Sequence, residues 1–261
     1  MSYEQITYER RGAAALITLN RPEKLNAWTG TMQGEMREAI ATANDDANVA
    51  AIILTGAGRA YCAGADISGW QRGIQGDGVR SSGAASTETE TWTRMIRNAK
   101  PVIAAVNGVA VGVGVTHILP ADFRIATESA RFGFVFVRMG VVPELASTYY
   151  LAQLVGLGAA QELCLRAKIV DAPEALRLGL VSRVVPGEQL LDEALALAEE
   201  LAALPPLQLR MTKDLFTRNA TDMNIEAVMG REGEALAQAY VSPEFKEAVT
   251  AFMEKRPANY R

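Results

Sequence analysis

Lys100-Pro101-Val102-Ile103-Ala104-Ala105-Val106-Asn107-Gly108-Val109-Ala110-Val111-Gly112-Val113-Gly114 carries two signals back to back. The apolar run from Pro101 to Val106 stops at Asn107-Gly108, and glycine-rich chain follows before a predicted helix. A short, wholly apolar run between turn residues suits a strand covered on both faces, as in a parallel sheet. The same pattern stands earlier, where Ala51 to Thr55 runs into Gly56-Ala57-Gly58, and Phe123 to Ala126 reads as a third such strand. Strands separated by helical patterns imply crossover units and an α/β fold.

Outward from these strands, Ile6 to Glu9 and Ala14 to Leu19 flank Arg10-Arg11-Gly12-Ala13 as a hairpin, and Asn20-Arg21-Pro22-Glu23 reads as a turn. Met32, Met36, Ala39, Ile40 and Ala43 recur at helical spacing between Thr29 and Ala43. Between Gly69 and Thr93 the character changes, with Gly, Ser and Thr dominating Gly73 to Thr89. That segment reads as a surface loop or as a wall over a binding site. From Glu144 onward the pattern is almost wholly helical, with Ala194 to Leu204, Leu207 to Asn219, Asn224 to Tyr240 and Ser242 to Lys255 as helices and no strand expected after Pro186. Ser242-Pro243 is a helix start, serine as N-cap and proline at the first helical position. A helical appendage without its own sheet packs on something, often a sister subunit.

The chain of 261 residues is 49% hydrophobic and 21% charged, proportions that exclude bulk disorder. A net charge of −4 argues against a general nucleic-acid binder, which needs a basic surface. Cys62 and Cys164 make no disulfide framework, no apolar run reaches the roughly 18 residues of a membrane span, and no secretory signal is visible. A cytoplasmic protein without membrane or nucleic-acid partner is the expectation. His117 is the single histidine, so any Ser-His or Cys-His machine must use it, and a zinc site has no ligand spacing to work with. The position of His117 suits a packed, hydrogen-bonded ring.

Two glycine-rich junctions remain, Arg59-Ala60-Tyr61-Cys62-Ala63-Gly64-Ala65-Asp66-Ile67 and Asn107 to Gly114. A helix N-terminus leaves backbone N–H groups unpaired and favours negative charge. Two such ends facing one point would form an oxyanion hole, in which one donor is worth about 2.7–4 kcal/mol of barrier. The competing reading is that the glycines only permit tight turns. Neither junction fits a phosphate-binding fingerprint.

At this point the sequence resembles the crotonase superfamily, the enoyl-CoA hydratase/isomerase family. The segments that carry the resemblance are Asn20-Arg21-Pro22-Glu23-Lys24-Leu25-Asn26-Ala27, Cys62-Ala63-Gly64-Ala65-Asp66-Ile67, Lys100 to Gly108, and Phe252-Met253-Glu254-Lys255-Arg256, in the family's order. The resemblance implies a spiral of ββα units carrying an acyl-CoA site over residues 1–195, then a C-terminal helical trimerisation region over 196–261. It implies a homotrimer or a dimer of trimers acting on an acyl-CoA thioester in fatty acid metabolism, with no cofactor, since coenzyme A is part of the substrate. The main-chain N–H groups of Ala65 and Val113 match the oxyanion donors. Lys24 and Leu25 match the stretch near CoA, Phe252 and Lys255 match C-terminal CoA contacts, and Ala63, Asp66, Ile67 and Phe136 count among the substrate- or CoA-binding positions, with a cap or ion-pair role the plainer reading of Asp66 and Asp122. Ile67, Trp70 and Phe136 suit an acyl tunnel or plain core.

The two glutamates of the family's hydratases match Thr116 and Phe136 here, so both carboxylates are absent. Gly140-Val141-Val142-Pro143-Glu144-Leu145-Ala146 instead resembles the segment of peroxisomal-type Δ3-Δ2-enoyl-CoA isomerases whose glutamate after proline is the base, which assigns that role to Glu144. One carboxylate suffices to move a proton from C2 to C4 while the enolate is held. Apolar neighbours should raise its pKa. A helix-start carboxylate after Pro143 is the plainer alternative for Glu144. A hydratase (lyase) using Glu144 and water, and a non-catalytic acyl-CoA-binding homologue, are the alternative functions. An RNA-binding homologue would want a lysine-rich helix, which Glu35-Met36-Arg37-Glu38 is not.

Overall fold

A computed structural model describes residues 2–69 and 86–260. Of the loop expected from Gly73 to Thr89, the part up to Ala85 lies outside the described residues, as does Trp70, and Ser86 to Thr89 are helical rather than loop.

Six strands form the larger sheet: β1 (Ile6–Arg11), β2 (Ala14–Leu19), β3 (Ala51–Gly56), β5 (Val102–Val106), β7 (Phe123–Thr127) and β10 (Arg183–Val185), hydrogen-bonded in that order. The first pair is the expected antiparallel hairpin, and every later pairing is parallel. Four short strands form a second sheet in the order β4 (Ala60–Cys62), β6 (Val109–Val111), β8 (Arg131–Gly133) and β9 (Ile169–Asp171). Thus β3, β5 and β7, neighbours in the first sheet, each bend into β4, β6 and β8, neighbours in the second. This is the repeated ββ step of the expected spiral.

The bends require main chain to touch main chain. A Cβ added at Gly56 would sit 2.6 Å from the carbonyl oxygens of Ala60 and Tyr61, and one at Gly108 would sit 2.2 Å from Arg59 O. Asn107 accepts from Gly56 N and donates to Gly58 O, so the second bend is tied to the first.

The ten helices among the described residues are α1 (Gly30–Asp45), α2 (Ser86–Asn98), α3 (Val113–Thr116), α4 (Ser147–Val155), α5 (Leu157–Leu165), α6 (Ala172–Arg177), α7 (Leu190–Ala202), α8 (Pro206–Asn219), α9 (Ile225–Tyr240) and α10 (Pro243–Glu254). Thr29 caps α1 by accepting from Met32 N, and its predicted stripe from Met32 to Ala43 is buried. Ser242 caps α10 by accepting from Phe245 N, as expected. Side chains alternate across the central strands. Ala15, Ile17, Ile52, Leu54, Val102 and Ala104 join the core with α1 and α2, while Leu16, Ile53, Ile103 and Ile125 pack against Leu190, Ala194, Leu197 and Leu201 of α7.

One expectation changes: the region after Glu144 holds two strands, β9 and β10, that pair only with chain far away in sequence. Residues 195 and 196 both lie in α7, which covers the outer face of the larger sheet. No described helix is long and apolar enough to cross a membrane.

Asn26 is fully buried and joins three segments: its amide donates to Ala57 O and Ala60 O, and its oxygen accepts from Arg21 N. Asn26→Ala should destabilise the protein by about 2–4 kcal/mol, the sum of lost bonds and stranded buried groups. Urea unfolding would measure this, and a loss below about 1 kcal/mol would contradict the tie.

Candidate active site

Strands β4 and β6 lie side by side and parallel, so the chains leaving them emerge in the same direction. The first exit is Ala63-Gly64-Ala65 and the second Gly112-Val113. They stay in main-chain contact: a Cβ at Gly64 would lie 3.2 Å from Val111 O, and one at Gly114 would lie 2.2 Å from Cys62 O. Gly112 has φ +55° and ψ −124°, a region that side chains other than hydrogen do not tolerate. This turn starts α3, whose first residue is Val113. The Val113 φ is negative, so a valine can present its main-chain donor here.

The Val113 N–H has no intrahelical partner because it stands in the first turn. Ala65 pairs with Trp28 as an isolated parallel bridge, in which Trp28 N donates to Gly64 O and Asp66 N donates to Trp28 O. Those bonds bracket Ala65 without using its own N–H. Among the described residues no backbone acceptor takes the N–H of Ala65 or of Val113. Two unpaired amides therefore stand at adjacent, parallel strand exits, an arrangement suited to an anionic oxygen.

Glu144 reaches this point from the third exit. After β8 the chain makes a short 3₁₀ turn, Phe136–Met139, and returns through Gly140 to Pro143. Leu145 and Ala146 then take left-handed φ values of 56° and 52° before α4 begins. Such conformations cost non-glycine residues roughly 1–2 kcal/mol each, and here they redirect the chain directly after the carboxylate. Thr116, fully buried at the end of α3, donates its Oγ1 hydrogen to Glu144 Oε1 at 2.5 Å. Thr116 is three residues beyond Val113, less than one helical turn. The carboxyl is thus anchored to the turn that carries the second amide. Burial raises the Glu144 pKa, and the Thr116 bond partly opposes that rise.

The remaining expected residues divide. Leu25, with left-handed φ 51°, accepts from Ala63 N at 3.0 Å and so touches the first exit. Lys24 is exposed on the adjacent 3₁₀ turn. Asp66 is engaged by Arg21 at 3.0 Å and by the Ser68 hydroxyl and N–H; Ser68 and Arg21 hold its carboxyl down to about 2. It therefore clamps the Arg21 turn to the first exit, as a cap and ion-pair residue. Ile67 is exposed, whereas Phe136 is buried in the core. Phe252 and Lys255 lie on and just after α10, whose packing partner is α9, and Phe252 is 82% exposed. Cys62 is buried, which pushes its thiol up to about 12 and leaves it unreactive at neutral pH.

In the sequence Thr116 registers only as a missing carboxylate, and a hydroxyl 28 positions from Glu144 gives no signal of pairing.

Residues 9–261 match the family model for enoyl-CoA hydratase/isomerase. The chain is 36% identical to a short-chain-enoyl-CoA hydratase of Clostridium acetobutylicum, with 98% of this chain and 97% of that protein aligned. It is 35% identical to a crotonyl-CoA hydratase of Syntrophomonas wolfei over 100% and 99% of the two chains. Among solved structures, an enoyl-CoA hydratase from Bacillus anthracis superposes with a TM-score of 0.90 at 31% identity, covering 98% of this chain and 99% of that one. This protein belongs to the enoyl-CoA hydratase/isomerase family, the crotonase superfamily, and is an enzyme of that class.

The Thr116 bond stabilises the charged form of Glu144, so Thr116→Val should raise the Glu144 pKa further. If Glu144 acts as a base, activity falls as pH drops through that pKa. The acid limb of the pH–kcat profile should therefore move to higher pH in Thr116→Val, and an unmoved limb would disconnect the hydroxyl from the base.

Proposed function

We propose that the chain is a single-base enoyl-CoA enzyme whose first reaction is Δ3-Δ2-enoyl-CoA isomerisation. One observation supports the reading: a half-buried carboxylate of raised pKa, Glu144, is hydrogen-bonded by Thr116 of the short helix whose first residue, Val113, has no main-chain acceptor for its N–H among the described residues. The thioester oxygen accepts from Ala65 N–H and Val113 N–H. Glu144 takes a proton from C2, the C3=C4 double bond shifts to C2=C3 through the dienolate, and the protonated Glu144 returns the proton to C4. Charge builds on the thioester oxygen during the first transfer, where paired donors lower the barrier most. The carboxylate ends as it began, so no second acid is needed.

Hydration is the second reading, and the names of the relatives favour it. Here Glu144 would take a proton from water as the oxygen attacks C3 and deliver it to C2. The absence of carboxylates at Thr116 and Phe136 supports placing isomerisation first.

Lys24 and Leu25 are proposed to meet the CoA moiety, with Lys255 and Phe252 supplied from a neighbouring subunit of a trimer or a dimer of trimers. Exposed Met229, Leu236 and Phe252 on α9 and α10 support such burial.

The deciding experiment assays 3-hexenoyl-CoA isomerisation and crotonyl-CoA hydration side by side. Glu144→Gln should lower the main activity about 10²–10⁴-fold while acyl-CoA binding persists. Hydration that outruns isomerisation in the unaltered enzyme would reverse the order of the two readings, and full activity in Glu144→Gln would end both.

A further inference from the structure

A buried polar cluster centred on His117 takes no part in the proposed chemistry. His117 is fully buried one residue beyond Thr116, with Tyr61, Trp28 and Trp92 around it. Its Nδ1 lies 2.6 Å from Val113 O. A carbonyl oxygen can only accept, so Nδ1 carries the proton. Nε2 is then a bare acceptor, and the Tyr61 hydroxyl donates to it at 2.8 Å. Each ring nitrogen has one role and one partner. Burial pulls the His117 pKa down to about 4, so the ring stays neutral and this tautomer persists.

We propose that His117 is a positioning residue that, with Tyr61, holds the two oxyanion amides at a fixed separation. The proposal rests on reading Ala65 and Val113 as donors to the thioester oxygen. A single helical turn does not hold itself closed. His117 closes α3 twice, its main-chain N–H and its Nδ1–H both donating to Val113 O, the carbonyl of the residue that carries the second amide. Tyr61 belongs to β4, four residues before Ala65. The Tyr61–His117 bond therefore joins the strand that feeds the first amide to the turn that carries the second.

Trp28 completes the link. Its ring lies 4.7 Å from the imidazole, and its main chain brackets Ala65 through the bonds to Gly64 O and Asp66 N. Trp92 Nε1–H donates to His117 O at 3.0 Å and fixes the far end of the turn. Neither amide can tilt without breaking a buried hydrogen bond. Plain packing would be served by an apolar side chain. A fully paired imidazole adds direction, which a pair of donors needs when they must converge on one atom.

The test uses hexanoyl-CoA, which can be neither isomerised nor hydrated, labelled with carbon-13 at the thioester carbonyl. Difference infrared spectra of the bound ester report how strongly the amides polarise the C=O bond. In the unaltered enzyme the band should move to lower frequency than in water. In Tyr61→Phe and His117→Leu it should return toward the free position, with kcat reduced about tenfold or more and KM little changed, the pattern of lost transition-state stabilisation. His117→Asn retains an N–H near the Nδ1 position and should restore part of both readouts. Tyr61→Phe keeps its ring packing and carries the test if His117→Leu does not fold. A folded Tyr61→Phe enzyme with the wild-type band and kcat would overturn the positioning role. An unshifted band in the unaltered enzyme would instead overturn the oxyanion reading, so the two failures are distinct.

Discussion

Main chain packs directly on main chain where β4 and β6 end, and the rest of the site follows from that contact. With Gly114 against Cys62 O and Gly64 against Val111 O, the two exits cannot be separated by side chains. Parallel neighbours in a sheet lie about 4.8 Å apart, so the chains that leave β4 and β6 toward Ala65 and Val113, three and two residues on, start from adjacent points. The sharp bends at Gly56 and Gly108 serve the same end. They carry adjacent strands of the larger sheet into adjacent strands of the smaller one, and so deliver successive ββ units to one place. Asn26 and Asn107 secure those bends by satisfying carbonyls that the tight turns leave unpaired.

The Glu144 bend works against stability. Glu144 is held away from water, and its folded-state pKa is raised. A carboxyl shifted upward contributes its full stability below its ordinary pKa and loses it as pH rises through the raised value. At neutral pH the charged Glu144 is therefore a cost to the fold. The left-handed Leu145 and Ala146 add strain at the same bend. Thr116 limits the cost by donating to the carboxylate, and the surrounding core, with Leu145 buried in it, over-determines the geometry.

The long strands and the helices were legible because their patterns are local. Ala51 to Thr55 and Val102 to Val106 announce themselves as apolar runs between turn residues, and α1 shows its buried stripe over three turns. The three-residue strands β4, β6, β8, β9 and β10 were not legible. Three residues display no period, and their pairings join chain 20 or more positions apart. Yet these strands carry the site. Glu144 was found through family likeness rather than periodicity. Its bond to Thr116 and the bond between Tyr61 and His117 became visible only when distant segments met. Asp66 takes the cap and ion-pair role that its position beside a glycine-rich exit suggests, though its partner Arg21, 45 positions away, could not be named from sequence.

A neutral donor at position 116 also decides how the base titrates. The Thr116 oxygen is 2.5 Å from Glu144 Oε1, so a carboxyl at 116 would stand against the one at 144. Like charges that close cannot both ionise freely, and the pair would share protons with two macroscopic pKa values. That arrangement suits a reaction that needs an acid and a base together. With threonine, Glu144 titrates alone and its partner contributes a hydrogen bond in either protonation state. Under the proposed isomerisation a lone carboxyl takes a proton from one carbon and returns it to another, and threonine at 116 suits that task by leaving its neighbour to titrate by itself.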